Sequence, residues 1–168
     1  LTETLREKQK RGSLLWVLDK TKTAMGARTM RQYIEQPLVD KAQIEERLNT
    51  VEVLCLQPMA RDEMREYMNP IYDLERLLGK ISYKTANPRD LLAFCNSLKM
   101  LPHLKTLLSE FDEGLLRKID QSMDDLSDLC SLIERSIDEE SPVSVREGGI
   151  IRTGFDKTID NLRSAKTQ

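Results

Sequence analysis

Hydrophobic positions recur every three to four residues along most of the chain, which is the spacing of one face of an α-helix. The clearest series run from Leu91 to Leu101, from Leu104 to Phe111 and from Met123 to Ile137. The polar connections between these series are short, so consecutive helices are predicted to pack as neighbours. The pattern therefore predicts an all-α chain that folds as a multi-helix bundle.

Capping residues indicate where several helices begin. Thr23 is a good N-cap for a helix over about 24–35, and Asp40 begins the next one. Asn69-Pro70 and Asn87-Pro88 each place a capping side chain before a proline at the first helical position. Four helix starts are therefore predicted from side-chain chemistry alone.

The same spacing predicts which apolar residues face the core. The run 14–18 is short and fully apolar, so it is either a strand or a buried helical turn, and Trp16 within it is expected in the core. The faces predicted for the helices after Asp40 and Asn69 are Ile44, Leu48, Val51 and Cys55, and Ile71, Leu74, Leu78 and Ile81 respectively.

The sequence changes character after residue 140. Residues 143–154 alternate weakly and contain three glycines, so a turn with short extended arms is predicted there. An amphipathic helix over 155–168 follows, which we interpret as the first turns of a longer helix. The predicted division is thus 1–140 for the bundle and 141–168 for the turn and the helix root. The possible hinge comprises Gly148, Gly149 and Gly154.

Composition supports a helix-rich protein and limits its partners. The chain has 168 residues, of which 32% are charged and only 5% aromatic. No apolar run approaches the roughly 20 residues that span a bilayer. The net charge of −2 disfavours a dedicated nucleic-acid binder. Basic residues cluster near the N-terminus, where Lys8, Lys10 and Arg11 are weak candidates for phosphate contacts.

No catalytic, cofactor or metal site is predicted. Cys55, Cys95 and Cys130 are isolated in apolar helical patterns and are expected to be free, buried thiols. His103 is the single histidine and follows Pro102, so a surface or capping role is favoured over catalysis. There is no phosphate-binding glycine motif, and the paired carboxylates lie on polar helix faces.

Four arginines stand within predicted helices and leave two interpretations open. Each could fix the geometry between helices through bidentate pairing with a carboxylate. Each could equally be an ordinary surface residue. These arginines are Arg28, Arg47, Arg76 and Arg89.

The segment LLWVLDKTKTAMGARTMRQYIEQPL resembles a signature of the MutS family of DNA mismatch repair proteins. The residues that carry this signature are Asp19, Thr21, Thr23, Met25, Gly26 and Arg28. The likeness continues through Arg76 in DLERL and Arg89 in PRDL, and it reaches the end of the chain in the family's order.

The resemblance implies the first segment of the family's helical core, or lever, domain, ending at the root of a helix that leads to a DNA clamp. ATP and Mg²⁺ would then bind an ATPase domain outside this chain. Mismatched double-stranded DNA would be held by other domains, and the intact protein would form a homodimer and bind MutL in the bacterial cytoplasm. The alternatives are a stand-alone helical module that binds DNA or another protein, and an enzyme with an unrecognised site.

Overall fold

The computed structural model describes residues 1–112 and 114–166. They form two compact units. The first comprises Leu1–Asp73 and Met100–Asp124, and the second comprises Leu74–Lys99 and the described part of Asp125–Gln168. The helices are α1 (Leu14–Leu18), α2 (Ala24–Glu35), α3 (Lys41–Leu56), α4 (Pro58–Met68), α5 (Leu74–Ser82), α6 (Pro88–Leu98), α7 (Leu101–Leu108), α8 (Gly114–Ser122), α9 (Ser127–Ser136) and α10 (Lys157–Lys166).

The all-α prediction is confirmed, because the regular elements of the described residues are helices and the single β-type pairing is an isolated bridge. A 3₁₀ helix over Val145–Glu147 replaces one arm of the extended turn predicted for 143–154. None of the described helices combines the length and the apolar composition needed to cross a membrane. The predicted division between 1–140 and 141–168 stays a prediction.

Three of the four predicted helix starts are confirmed by their capping bonds. The Thr23 hydroxyl accepts from the Gly26 amide at 3.0 Å, and the Asp40 carboxylate accepts from the amide of Gln43 at 2.9 Å. Asn87 and Asp90 form a complete capping box at the start of α6. These side chains satisfy amides that the first turn of a helix leaves without backbone partners.

The fourth predicted start, at Asn69-Pro70, is wrong. Asn69 instead ends α4, where its amide donates to the carbonyl of Arg65 at 3.1 Å. Helix α5 begins only at Leu74, so its buried face also differs from the prediction. Leu77 is buried, whereas Leu78 and Ile81 are exposed.

The core of the first unit lies among α3, α4, α7 and α8. Helix α4 packs against α3 and α7, and α8 packs against α3 and α7. Proline at the second position of α7 fits the start of a helix, which lets α7 begin with only two residues between it and the end of α6. The buried cluster consists of Met64, Leu104, Leu107, Leu108, Phe111 and Leu116.

Two predicted buried faces of the first unit are exposed. Run 14–18 is helix α1, in which Leu15 is buried but Trp16 is 48% exposed. Helix α3 is apolar on more than one side and turns Val53 and Leu54 toward the core. Its predicted face is therefore the outer one, and Ile44, Leu48, Val51 and Cys55 are all exposed.

In the second unit, α6 packs against α5 and α9. Helix α6 buries Phe94, Cys95 and Leu98, as predicted, and α9 buries Cys130 and Ile133. Helix α10 spans Lys157–Lys166, which confirms a helix within the predicted 155–168, whose last two residues lie outside the described residues.

Candidate functional site

Asp19, the first of the signature residues, connects the end of α1 to Lys10 before this helix and to Thr21 after it. Asp19 caps the end of α1, and its Oδ2 lies 2.6 Å from the Nζ of Lys10. Its Oδ1 accepts from the Thr21 hydroxyl at 2.6 Å and from the Thr21 amide at 3.3 Å. The Asp19 side chain is only 11% exposed. Hydrogen bonds from Lys10 and then Thr21 lower the pKa of Asp19 to about 2.

We expect the Asp19 interactions to make stability depend on pH in the acid range. Because the folded-state pKa is depressed, their contribution is full above the ordinary pKa of about 4 and is lost as the pH falls through about 2. Lys10 is 53% exposed, so solvent screening limits the contribution to about 1 kcal/mol. Urea unfolding of the chain and of Asp19→Asn should differ at neutral pH and converge near pH 2.

Thr23 and Gly26 pack the turn closely against the start of α2. A β-carbon at Gly26 would lie 3.1 Å from the Thr23 hydroxyl oxygen and 3.3 Å from the β-carbon of Thr21. The glycine is therefore needed for this close approach. Met25, the remaining signature residue of this turn, lies beside it in the first turn of α2 and is partly buried.

Arg28 provides the long-range contact of the signature. Its NH1 and NH2 groups donate to the two carboxylate oxygens of Asp73 at 2.8 and 2.7 Å. Asp73 immediately precedes α5 and lies in the first unit. The pair confirms bidentate pairing for Arg28, and it fixes α2 against a segment 45 residues away along the chain.

We expect Arg28→Lys to lower the free energy of unfolding by about 1 kcal/mol, because a lysine cannot make two parallel hydrogen bonds to one carboxylate. The estimate is modest because the Arg28 side chain is 46% exposed. Arg31→Lys is the matched control, since Arg31 makes one exposed bond to Glu35 within α2. Urea unfolding of both variants provides the measurement, and equal losses would contradict the role of the bidentate pair.

The other three arginines have different surroundings. The Arg47 guanidinium lies 3.7 Å from the centroid of the Tyr33 ring, a cation–π contact between α3 and α2. Arg89 belongs to the second unit and donates from Nε to the Ser141 carbonyl at 3.1 Å, so its acceptor is backbone and not a carboxylate. Arg76 lies on α5, also in the second unit.

The weak phosphate candidates do not form a prepared anion site. Lys10 is paired with Asp19, which competes with any phosphate. Lys8 has a positive φ of 47° within a turn, and its side chain and that of Arg11 are exposed. Their possible DNA contacts stay a prediction.

The three glycines of the possible hinge have positive φ values, and a β-carbon at each would meet no atom within 4 Å. Gly148 and Gly149 lie in a loop that the Ile137–Ile151 bridge closes. Gly154 lies after this bridge and before α10, and its amide donates to Asp160 at 2.8 Å.

Two side-chain pairs could not be located from the sequence. The ring of His103 stacks on Tyr67 with 4.9 Å between centroids, which gives His103 a packing role. Cys95 and Cys130 are buried, as expected, but they also face each other between α6 and α9. Cys55 is exposed, contrary to the prediction of a buried thiol. Spacing along the sequence carries no signal for either pair.

Comparison with known proteins identifies the family. Residues 1–167 match the family model described as MutS domain III. Proteins named DNA mismatch repair protein MutS are 61% identical over the whole chain in Lachnoclostridium phytofermentans and 50% identical over 99% of it in Clostridium novyi. The chain spans 18% of the length of each of these relatives. A match of this extent shows that the chain belongs to the MutS domain III family.

Proposed function

We propose that the chain is the non-catalytic core of a mismatch repair protein, where it couples an ATPase domain to the domains that bind DNA. The chain covers 18% of the length of two MutS relatives. We propose that the ATPase domain with its ATP and Mg²⁺, the clamp and the mismatch-reading domain lie in the rest of the full-length protein. Homodimer formation and MutL binding are likewise proposed for the full-length protein. We propose the bacterial cytoplasm, with the chromosome, as the location.

The observation that carries this proposal is a continuous hydrogen-bonded connection from α9 to α10. The Arg152 amide donates to the Ser136 carbonyl at 2.9 Å, at the end of α9. The Arg163 side chain on α10 donates to the Ile151 carbonyl at 2.7 Å. Because these two hydrogen bonds hold residues 151–152 to both helices, a displacement of α10 would be passed to α9. This stiffness is what a mechanical coupling element requires.

Gly154 is the most favourable position for a bend in this connection. The Asp138 amide donates to the Ile150 carbonyl at 2.8 Å, which together with the Ile137–Ile151 bridge closes the intervening loop. Gly148 and Gly149 lie inside that loop and therefore off the direct path between the helices. We propose Gly154 as the joint and the other two glycines as parts of a tight turn.

Gly154→Ala in a full-length MutS protein with this domain III tests the proposal. We expect it to change the rate of ATP-induced release of mismatched DNA by about 2–30-fold, the range of coupling energies for residues between two sites. Gly148→Ala is the matched control, because it has the same sign of φ and the same open surroundings. It should change release by less than about twofold. Unchanged release in Gly154→Ala, with ATP hydrolysis intact, would contradict coupling through this joint.

A stand-alone DNA-binding module is the weaker alternative, because the chain has a net charge of −2 and Lys10 at its basic end is paired with Asp19. A salt titration of DNA binding by the chain distinguishes the two functions. Tight binding with a steep salt dependence would favour the alternative. Weak binding is expected if the DNA-binding surfaces lie in the rest of the protein.

A further inference from the structure

Two thiols and a carboxylate meet between α6 and α9 in the second unit. The Cys95 sulfur lies 3.6 Å from the Cys130 carbonyl oxygen, and the Cys130 sulfur lies 3.5 Å from the Cys95 carbonyl oxygen. Glu134 stands one helical turn after Cys130 and thus on the same face of α9. The two sulfurs and one Glu134 carboxylate oxygen all lie within 4.8 Å of one another.

A cavity of about 320 Å³ gives this cluster access to solvent. Cys95 and Glu134 line its wall, together with Lys99 from α6. Glu139 and Arg152, which form an ion pair at 2.9 Å, line it as well. A small ion can therefore reach the buried Cys95 thiol without separating the helices, and water can occupy a fourth position beside the three side-chain atoms.

We propose that Cys95, Cys130 and Glu134 bind one thiophilic divalent cation of the Zn²⁺ class, with a water from the cavity as the fourth ligand. Zinc bonds of about 2.3 Å to sulfur and about 2.0–2.2 Å to oxygen place tetrahedral ligand atoms roughly 3.5–3.8 Å apart. The observed spread of at most 4.8 Å closes to that geometry by small side-chain rotations. Two thiolates favour a soft cation over Mg²⁺ or Ca²⁺.

Binding is a proton exchange without oxidation or reduction. Each thiol loses its proton to solvent as its sulfur bonds to the cation, so two protons are released. Two thiolates and one carboxylate together with a divalent cation give the site a net charge of −1. Lys99, whose Nζ lies 2.5 Å from Glu134, is placed to balance that charge.

Titration of the chain with Co²⁺ under a non-thiol reductant tests this site. Co²⁺ substitutes for Zn²⁺ and reports thiolate bonding through sulfur-to-cobalt charge-transfer absorption. We expect this absorption to saturate at one Co²⁺ per chain, to be reversed by added Zn²⁺, and to accompany the release of two protons measured with an indicator dye. If the unmodified chain showed no charge-transfer band, or if the band saturated without proton release, the proposal would be overturned.

Variants identify the ligands. Glu134→Gln should weaken Co²⁺ binding at least ~10-fold, as expected for the loss of a charged ligand. Lys99→Gln breaks the same ion pair but keeps all three ligands, so it should retain the charge-transfer band and weaken Co²⁺ binding less than Glu134→Gln does. Cys55→Ser should retain full binding, because Cys55 is exposed and lies in the first unit. Loss of the band in Cys55→Ser, or equal weakening in Lys99→Gln and Glu134→Gln, would overturn the assignment.

Discussion

Replacement of Phe111 by alanine should lower the free energy of unfolding by about 3–5 kcal/mol, one of the two largest effects that we expect in this chain. Phe111 is 3% exposed and closes the buried cluster that α4, α7 and α8 form in the first unit. Alanine would remove the ring and leave a cavity that surrounding helices cannot fill without moving. The loss of unfolding free energy combines the lost burial of the apolar ring with the cost of the cavity that remains.

Urea unfolding of the chain measures this loss, with Phe155→Ala as the control. Phe155 has the same ring but is 45% exposed, so its removal should cost no more than about 1 kcal/mol. A similar loss in both variants would mean that ring removal and not burial determines the cost. Equal losses would therefore contradict the assignment of Phe111 to the core.

The helix starts were predictable where a side chain completes its own local hydrogen bonds. Thr23, Asp40 and Asn87 cap within three residues, so sequence neighbours contain the whole interaction. The helix start predicted at Asn69 was wrong because an Asn-Pro pair suits the end of one helix as well as the start of the next. The choice depends on how far the preceding helix continues, which its own residues do not determine.

The buried faces were predictable only where a helix has one apolar side. Helix α6 has such a side, and of its predicted core residues Phe94, Cys95 and Leu98 are buried while Leu91 is partly buried. Helix α3 carries apolar residues on several sides, so its packing against α4 and α8 decides which of them are covered. The exposure of Trp16 was also not predictable from the apolar run alone. The five-residue helix α1 buries Leu15 without burying its neighbour Trp16.

The candidate site shows the same limit on prediction. The interaction of Arg28 with a carboxylate was anticipated by its chemistry, but Asp73 lies 45 residues away and only the fold identifies it as the partner. Cys95 and Cys130 are 35 residues apart and their sequence context is merely apolar. A ligand set formed by two separate helices becomes visible only when the helices are packed.

Leu98→Ala is the second change with a large expected effect, about 2–5 kcal/mol of unfolding free energy. Leu98 is 2% exposed and ends α6, the helix that packs against α9 in the second unit. Its neighbours Cys95 and Ser97 are also almost completely buried, so little space is available for the site to relax around the lost atoms. We therefore expect a value in the upper half of this range.

Leu78→Ala is the matched control for Leu98→Ala, since Leu78 lies on α5 of the same unit but is 50% exposed. It should cost less than about 1 kcal/mol. The two variants, measured by urea unfolding, also bear on the proposed function, because transmission from α9 to α10 requires that α9 itself be held firmly by α6. If Leu98→Ala cost no more than Leu78→Ala, the α6–α9 pair would be too loosely packed to pass on a displacement, and coupling through α10 would lose its physical basis.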